Sequence, residues 1–112
     1  MTHSRVTFSG LPHNDLIARM CERELIKLKR YAPRLVGCSV LVTRTNNRHR
    51  TGRRHEVRIR AHSPRILVSV TRTPREHSEA ETLELAVREA FDRARRRLQD
   101  AVRRLRGAIK AK

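Results

Sequence analysis

The amino-acid sequence predicts an α+β fold: a four-stranded sheet with two helices on one face, in the order β-α-β-β-β-α. Short segments alternate apolar and polar residues with a period of two, as strands with one buried face do. Two longer segments repeat apolar residues with a period of 3.6, as amphipathic helices do. The last three strands are joined by turns, which suggests an antiparallel meander. The chain has 112 residues, which predicts one domain over residues 1–112.

The first strand and the first helix open the chain. Residues 5–9 alternate, and Gly10 ends this strand. Asn14 is a suitable helix cap, and Pro33 ends the helix near residue 32. The apolar stripe of this helix is formed by Ile17, Met20, Cys21, Leu28 and Tyr31.

Three further strands are predicted at residues 38–43, 55–62 and 65–71. Residues 44–54 contain no apolar side chain and several turn formers, which predicts a long basic hairpin connection. Ser63 and Pro64 form a tight turn before the last strand.

The second helix follows a linker at residues 73–77. Ser78 and Glu81 match a capping box, and the helix continues to about Leu105, with a basic tail after about residue 106. Its apolar stripe is formed by Leu83, Val87, Ala90, Phe91, Ala94, Leu98, Val102 and Leu105.

The charge of the chain indicates a polyanionic partner. Lys and Arg number 27 against 11 acids, for a net charge of +16. Such an excess destabilises a compact chain by self-repulsion, and a polyanion relieves it. Arginine predominates over lysine, which suits phosphate binding but also follows from a high-GC genome. A membrane partner is not expected, because aromatic residues are 3% of the chain and no apolar run approaches about 20 residues.

Sequence motifs of catalysis are missing. The chain has no Gly-rich phosphate loop, no H-E-x-x-H and no close carboxylate pair, so we expect no catalytic residue, no cofactor, no metal and no small-molecule substrate. His49 and His55 flank the basic hairpin, where surface histidines of an RNA-binding loop are a better interpretation than metal ligands. Cys21 and Cys38 fit no zinc motif and are expected to be buried free thiols.

The candidate binding residues are basic side chains on helix flanks and in the hairpin. If the helices pack side by side, their flanks would line one groove that binds phosphates. For any single arginine, a solvated side chain is the alternative. The first helix contributes Arg19, Arg23, Lys27 and Arg30; the second contributes Arg88, Arg93, Arg96, Arg97, Arg103 and Arg104; the hairpin contributes Arg48, Arg50, Arg53 and Arg54.

RNA is the favoured polyanion. No helix-turn-helix or basic zipper is present, and the element order is similar to that of double-stranded RNA-binding domains. The predicted sheet lacks exposed aromatic residues on which single-stranded bases could stack.

Ordered segments along almost the whole chain resemble the hibernation-promoting factor and ribosome-associated inhibitor family, also called sigma-54 modulation proteins. They are VTFSGL, KLKRYAPRL, CSVLV, HEVRIRA, ILVSVTR and LAVREAFDRARRRL. The resemblance implies a protein that binds rRNA of the small ribosomal subunit near the decoding region and blocks messenger and transfer RNA. It also implies that Lys27, Arg30, Arg93 and Arg96 match basic positions of the family's helices.

The chain also departs from the family pattern. The linker TPREHSEAET is longer than in the shortest members, and the hairpin is unusually rich in arginine. Long-form members carry a C-terminal dimerisation domain, whereas this chain ends after its second helix, so we expect a short form that is a monomer when free. The N-terminus has no signal-peptide pattern, which predicts a cytoplasmic protein. A general RNA-binding or ribosome-assembly factor, a regulator of sigma-54 through protein contacts, and an RNA-cleaving enzyme remain alternatives.

Overall fold

The computed structural model describes residues 3–45, 54–73 and 82–110. These ranges contain the six predicted elements in the predicted order: β1 (His3–Ser9), α1 (Asp15–Tyr31), β2 (Gly37–Thr45), β3 (Arg54–His62), β4 (Leu67–Arg72) and α2 (Leu83–Lys110).

The four strands form one mixed sheet in the order β1-β2-β3-β4. β1 and β2 are parallel, with α1 as the crossover connection that parallel strands require. The other pairs are antiparallel, so the predicted meander is confirmed. The register aligns four apolar residues in one row across the sheet, namely Val6, Val40, Ile59 and Val70.

Both helices cover the same face of the sheet, as predicted. α2 packs on β3 and β4, and α1 contacts β1 and α2. Ile59 is buried beneath the helices, whereas Arg58 and Arg60 on either side of it are exposed. The sheet therefore has a helix-covered face, which forms the core, and an open face.

The first helix begins with the predicted cap, whereas the second begins with a different one. In α1 the Asn14 side chain accepts a hydrogen bond from the Ile17 amide at 3.1 Å, as expected of a cap. α2 begins at Leu83, and the Thr82 hydroxyl accepts a hydrogen bond from the Leu85 amide at 3.2 Å. The predicted capping pair, Ser78 and Glu81, lies outside the described residues.

α2 also continues past its predicted end at Leu105 and reaches Lys110, so the basic tail is helical up to there. Gly107 does not stop the helix, because one glycine costs only about 1 kcal/mol relative to alanine. At 28 residues, α2 is about 42 Å long.

Several strand boundaries also differ from the prediction, most clearly at the hairpin and at the start of β4. Arg44 pairs with His55, and Thr45 pairs with Arg54, so the hairpin connection is shorter than residues 44–54. Backbone pairing requires no apolar side chain and extends the ladder beyond the alternating segment. β4 begins at Leu67, because residues up to Ile66 form the turn, closed by a 2.8 Å hydrogen bond from the Ser63 amide to the Ile66 carbonyl.

Candidate nucleic-acid interface

The four predicted basic side chains of α1 are all exposed: Arg19, Arg23, Lys27 and Arg30. Lys27 Nζ lies 3.2 Å from Glu24 Oε1 on the same helix. The three arginines form no ion pair with another described residue. Their charge is therefore not compensated locally, and an external anion can bind to them.

A cleft runs between α1 and α2. Its basic lining residues are Lys27 of α1 and Arg88 and Arg95 of α2. Three carboxylates line it as well, those of Glu24, Glu89 and Asp92. Tyr31 lies at this cleft with 41% of its surface exposed, so it is not a core residue of the first apolar stripe. The cleft is mixed in charge and is not the continuous basic groove that the sequence predicts.

The flank of α2 that carries Arg97 faces away from α1. Arg97 Nη1 donates a hydrogen bond to the Ser69 carbonyl oxygen of β4 at 3.0 Å. Arg93 and Arg104 share this flank, because residues four and seven positions apart lie on one side of a helix. The prediction that these three arginines line a groove with α1 is therefore wrong. A helical wheel defines two flanks, but not which of them meets the neighbouring helix.

The outward side of α2 carries ion pairs within the helix. Asp92 is 2.9 Å from Arg95 Nη2 and 3.3 Å from Arg96 Nη2. Arg103 Nη1 lies 3.9 Å from Asp100. Solvent-exposed pairs of this kind contribute little to stability, so these arginines can exchange a carboxylate for a phosphate at small cost.

The hairpin candidates are mostly beyond what the structure describes. Arg48, Arg50 and Arg53 lie outside the described residues, as does His49. Arg54 is the first residue of β3.

His55 is buried, with 9% of its surface exposed, so its interpretation as a surface histidine is wrong. It belongs to β3, where alternation places it on the helix-covered face with Val57 and Ile59. Within the described part of the chain, no three His, Cys, Asp or Glu side chains are placed to hold a metal ion.

One arginine lies in the core. Arg72, at the end of β4, is 1% exposed, and its Nε and Nη2 atoms are 3.1 and 3.0 Å from Glu89 Oε2 of α2. The pair joins α2 to the last strand. The sequence prediction ended the strand at residue 71 and missed this residue, although the alternation of Val68 and Val70 already assigns the next inward position to Arg72.

The two cysteines are free and buried, as predicted. Burial, with smaller contributions from the nearby Glu22 and Glu24, raises the pKa of the Cys21 thiol to about 12. Burial also raises the pKa of Cys38. Both groups remain protonated thiols at neutral pH and are poor nucleophiles.

A second basic surface, on the open face of the sheet, is absent from the sequence-based candidates. It carries Arg5, Arg58 and Arg60. The register places Arg5, Ser39, Arg60 and Ser69 in one row across the four strands. The alternation in HEVRIRA already indicates that Arg58 and Arg60 point away from the core. The register that brings Arg5 and Ser39 beside them is not evident from the sequence.

Comparison with known proteins identifies the family. The family model described as Sigma 54 modulation protein / S30EA ribosomal protein matches residues 4–106. The chain belongs to this family. The resemblance inferred from the ordered segments is thereby confirmed, and the family is one of ribosome-associated factors rather than a known enzyme family.

Solved structures share the S30EA fold. The Protein Y N-terminal domain of Thermus thermophilus is 22% identical with a TM-score of 0.65, covering 89% of this chain and 98% of that one. A ribosomal subunit interface protein from Coxiella burnetii is 10% identical with a TM-score of 0.61, covering 94% and 98% respectively. No curated protein sequence matched this chain. Of the helices in the described residues, none is long and apolar enough to cross a membrane.

Proposed function

We propose that this protein binds rRNA of the small ribosomal subunit near the decoding region, and that it inhibits translation by blocking messenger and transfer RNA. Membership of the S30EA family supports a ribosomal partner. The neighbour from Coxiella burnetii is described as a ribosomal subunit interface protein, which is consistent with a location between subunits. Such a factor acts by occupying space and requires no catalysis or cofactor.

The observation that carries the proposal is a set of exposed arginines on the helices that form no ion pair with another described residue. Arg19, Arg23 and Arg30 form an exposed ridge on α1, and Arg88 of α2 is exposed across the cleft. None of the four is in an ion pair with another described residue. On a chain with a net charge of +16, this arrangement favours contact with several phosphates at once.

The test is co-sedimentation with purified small subunits. The helical variant R23Q/R30Q/R88Q removes three charges without placing new like charges on the helices. We expect it to fold and to be lost from the small-subunit fraction near physiological salt. The control R34Q/R58Q/R65Q removes equal charge from exposed positions outside the helices and should still co-sediment. Equal loss in both variants would show that bulk charge, and not the helical ridge, determines binding.

Salt dependence provides a second measure of the same contact. If the interface contacts roughly 6–10 phosphates, the affinity falls about 10³–10⁵-fold between 50 and 200 mM salt. Each lost phosphate contact lowers the slope of log K against log salt by about 1, so the helical variant should lose about 3. A nearly flat titration of the unmodified protein would contradict a phosphate-dominated interface.

Two alternatives are separated by their own measurements. A general RNA-binding or assembly factor would bind subunits without lowering protein synthesis in a purified translation system. The second alternative is regulation of sigma-54, which the description of the family includes. That function predicts a complex with protein that survives nuclease treatment.

The proposed function further implies a cytoplasmic protein that is monomeric when free. Light scattering can test the monomeric state.

A further inference from the structure

The open face of the sheet contains a shallow depression lined mainly by basic and hydroxyl side chains, with Leu67 of β4 also in its lining. Arg5 of β1 and Arg60 of β3 lie on either side of Ser39 of β2, in register. Since neighbouring strands are about 4.8 Å apart, the two arginines are about 10 Å apart at the backbone. Ser39, Gly37 and His62 line the depression between them. Two guanidinium groups can therefore approach one group located above the Ser39 hydroxyl.

Gly37 and His62 determine the shape of one end of this depression. A Cβ atom at Gly37 would lie 2.4 Å from Cε1 of His62, so the imidazole ring rests directly against the glycine backbone. The two residues are cross-strand partners. Only a residue without a side chain allows the ring to lie this close to the strand.

The charge of this face is almost entirely positive. Among the described residues of the four strands, Glu56 is the only acid, and its Oε1 lies 3.7 Å from Nη2 of Arg58. The row that contains Arg5 and Arg60 ends at Ser69, where Arg97 of α2 donates to the backbone carbonyl. Positive charge thus continues from the depression over the edge of β4 to the outer flank of α2.

These features fit the phosphate groups of an RNA backbone. Arginine donates paired hydrogen bonds that match phosphate oxygens, and the serine hydroxyl adds a further donor. No Phe, Tyr or Trp side chain is present among the outward residues of the described strands, and the His62 ring rests against the Gly37 backbone, so the strands offer no platform of large aromatic rings for stacking single-stranded bases. A helical RNA segment, recognised by its backbone, suits a flat and basic surface.

We propose that the open face is a second RNA-binding surface, in which Arg5, Arg60 and Ser39 hold a backbone phosphate, so that one protein molecule bridges two RNA segments. That the ligand of the open face is RNA rests on the function proposed above. Its residues are separate from the helical ridge, so the two surfaces can be tested independently.

The experiment measures energy transfer between two populations of a short RNA duplex, labelled with donor and acceptor. The unmodified protein should bring two duplexes together and produce transfer, with one protein per complex by analytical ultracentrifugation. The variant R5Q/R60Q should bind one duplex and produce no transfer. The matched control R34Q/R65Q removes the same charge from exposed positions outside the strands and the depression, and should retain transfer.

The helical variant R23Q/R30Q/R88Q separates this proposal from the proposed function. It should still bind one duplex through the open face while failing to co-sediment with small subunits. Continued co-sedimentation would refute the proposed function, whereas retained transfer in R5Q/R60Q would refute the second surface. Equal loss of transfer in R5Q/R60Q and R34Q/R65Q would also overturn it, as would inorganic phosphate or an acidic protein competing as well as unlabelled duplex.

Discussion

The two faces of the sheet are made by the same strands but differ in every property that matters for function. In β3, Val57, Ile59 and Ala61 point toward the helices and are at most 1% exposed. Arg58 and Arg60 alternate with them and are exposed. The first set provides burial, and the second provides charge. A strand with a period of two can thus hold a core and a binding surface at once, and substitutions on the two faces should have separable effects.

The largest expected difference concerns stability. Ile59→Ala removes a fully buried side chain at the centre of the apolar row, and such changes cost about 2–5 kcal/mol. This is a large fraction of the roughly 5–15 kcal/mol that stabilises a domain of this kind. Urea denaturation should show the loss as a lower midpoint. A loss below about 1 kcal/mol would mean that the helix-covered face is not tightly packed.

The next prediction concerns Arg72, the buried arginine at the end of β4. Glu89→Ala removes the carboxylate that pairs with the buried Arg72 and should cost about 3 kcal/mol, the low end of the range for breaking a buried pair, because it leaves a buried charge less compensated while Glu89 itself is partly exposed. The same substitution at Asp92, whose side chain is 49% exposed and pairs with Arg95 and Arg96, should cost at most about 1 kcal/mol. Replacing both members of the buried pair, as R72M/E89L, should restore stability. Equal unfolding midpoints of the Glu89 and Asp92 variants would contradict the role assigned to the buried pair.

The sequence was sufficient to predict the pattern of the helix-covered face. Element order, the helical stripes apart from Tyr31, and the buried cysteines follow from periodicity, because the burial of each residue depends on its own position along the strand or helix. His55 and Arg72 were missed because each is polar: His55 was the first residue of the predicted third strand, and Arg72 lay one residue past the predicted end of the fourth.

The binding surfaces were less predictable, because they depend on how elements are placed beside one another. α1 exposes its arginines as expected, but the flank of α2 with Arg97 meets β4 and not α1. The depression around Ser39 requires the parallel register of β1 on β2, which no local pattern encodes.

A smaller effect on the helix-covered face is expected from pH. Burial, with a contribution from Glu22 and Glu24, raises the pKa of Cys21 to about 12 from an ordinary value of 9.0. Above pH 9 the unfolded chain loses this proton while the folded chain keeps it, so stability falls as the pH rises. The loss from this thiol is about 1.4 kcal/mol per pH unit until the folded pKa is approached. Denaturation at pH 8 and 10 should therefore show a shallower decline in Cys21→Ala than in the unmodified protein, whereas parallel declines would contradict the shifted pKa.

The smallest expected effect on stability is that of Arg60→Ala, one residue from Ile59 on the opposite face. The side chain is exposed and forms no ion pair with another described residue, so the unfolding free energy should change by less than about 0.5 kcal/mol. Removal of one positive charge also relieves some self-repulsion in a chain of net charge +16, which offsets any loss of packing by the arginine stem. Binding of the second RNA duplex should weaken nonetheless, with a decrease of about 1 in the slope of log K against log salt. Denaturation and salt titration of the same sample measure both quantities. A loss of stability close to that of Ile59→Ala would mean that the open face contributes to folding, and the separation of the two faces would then fail.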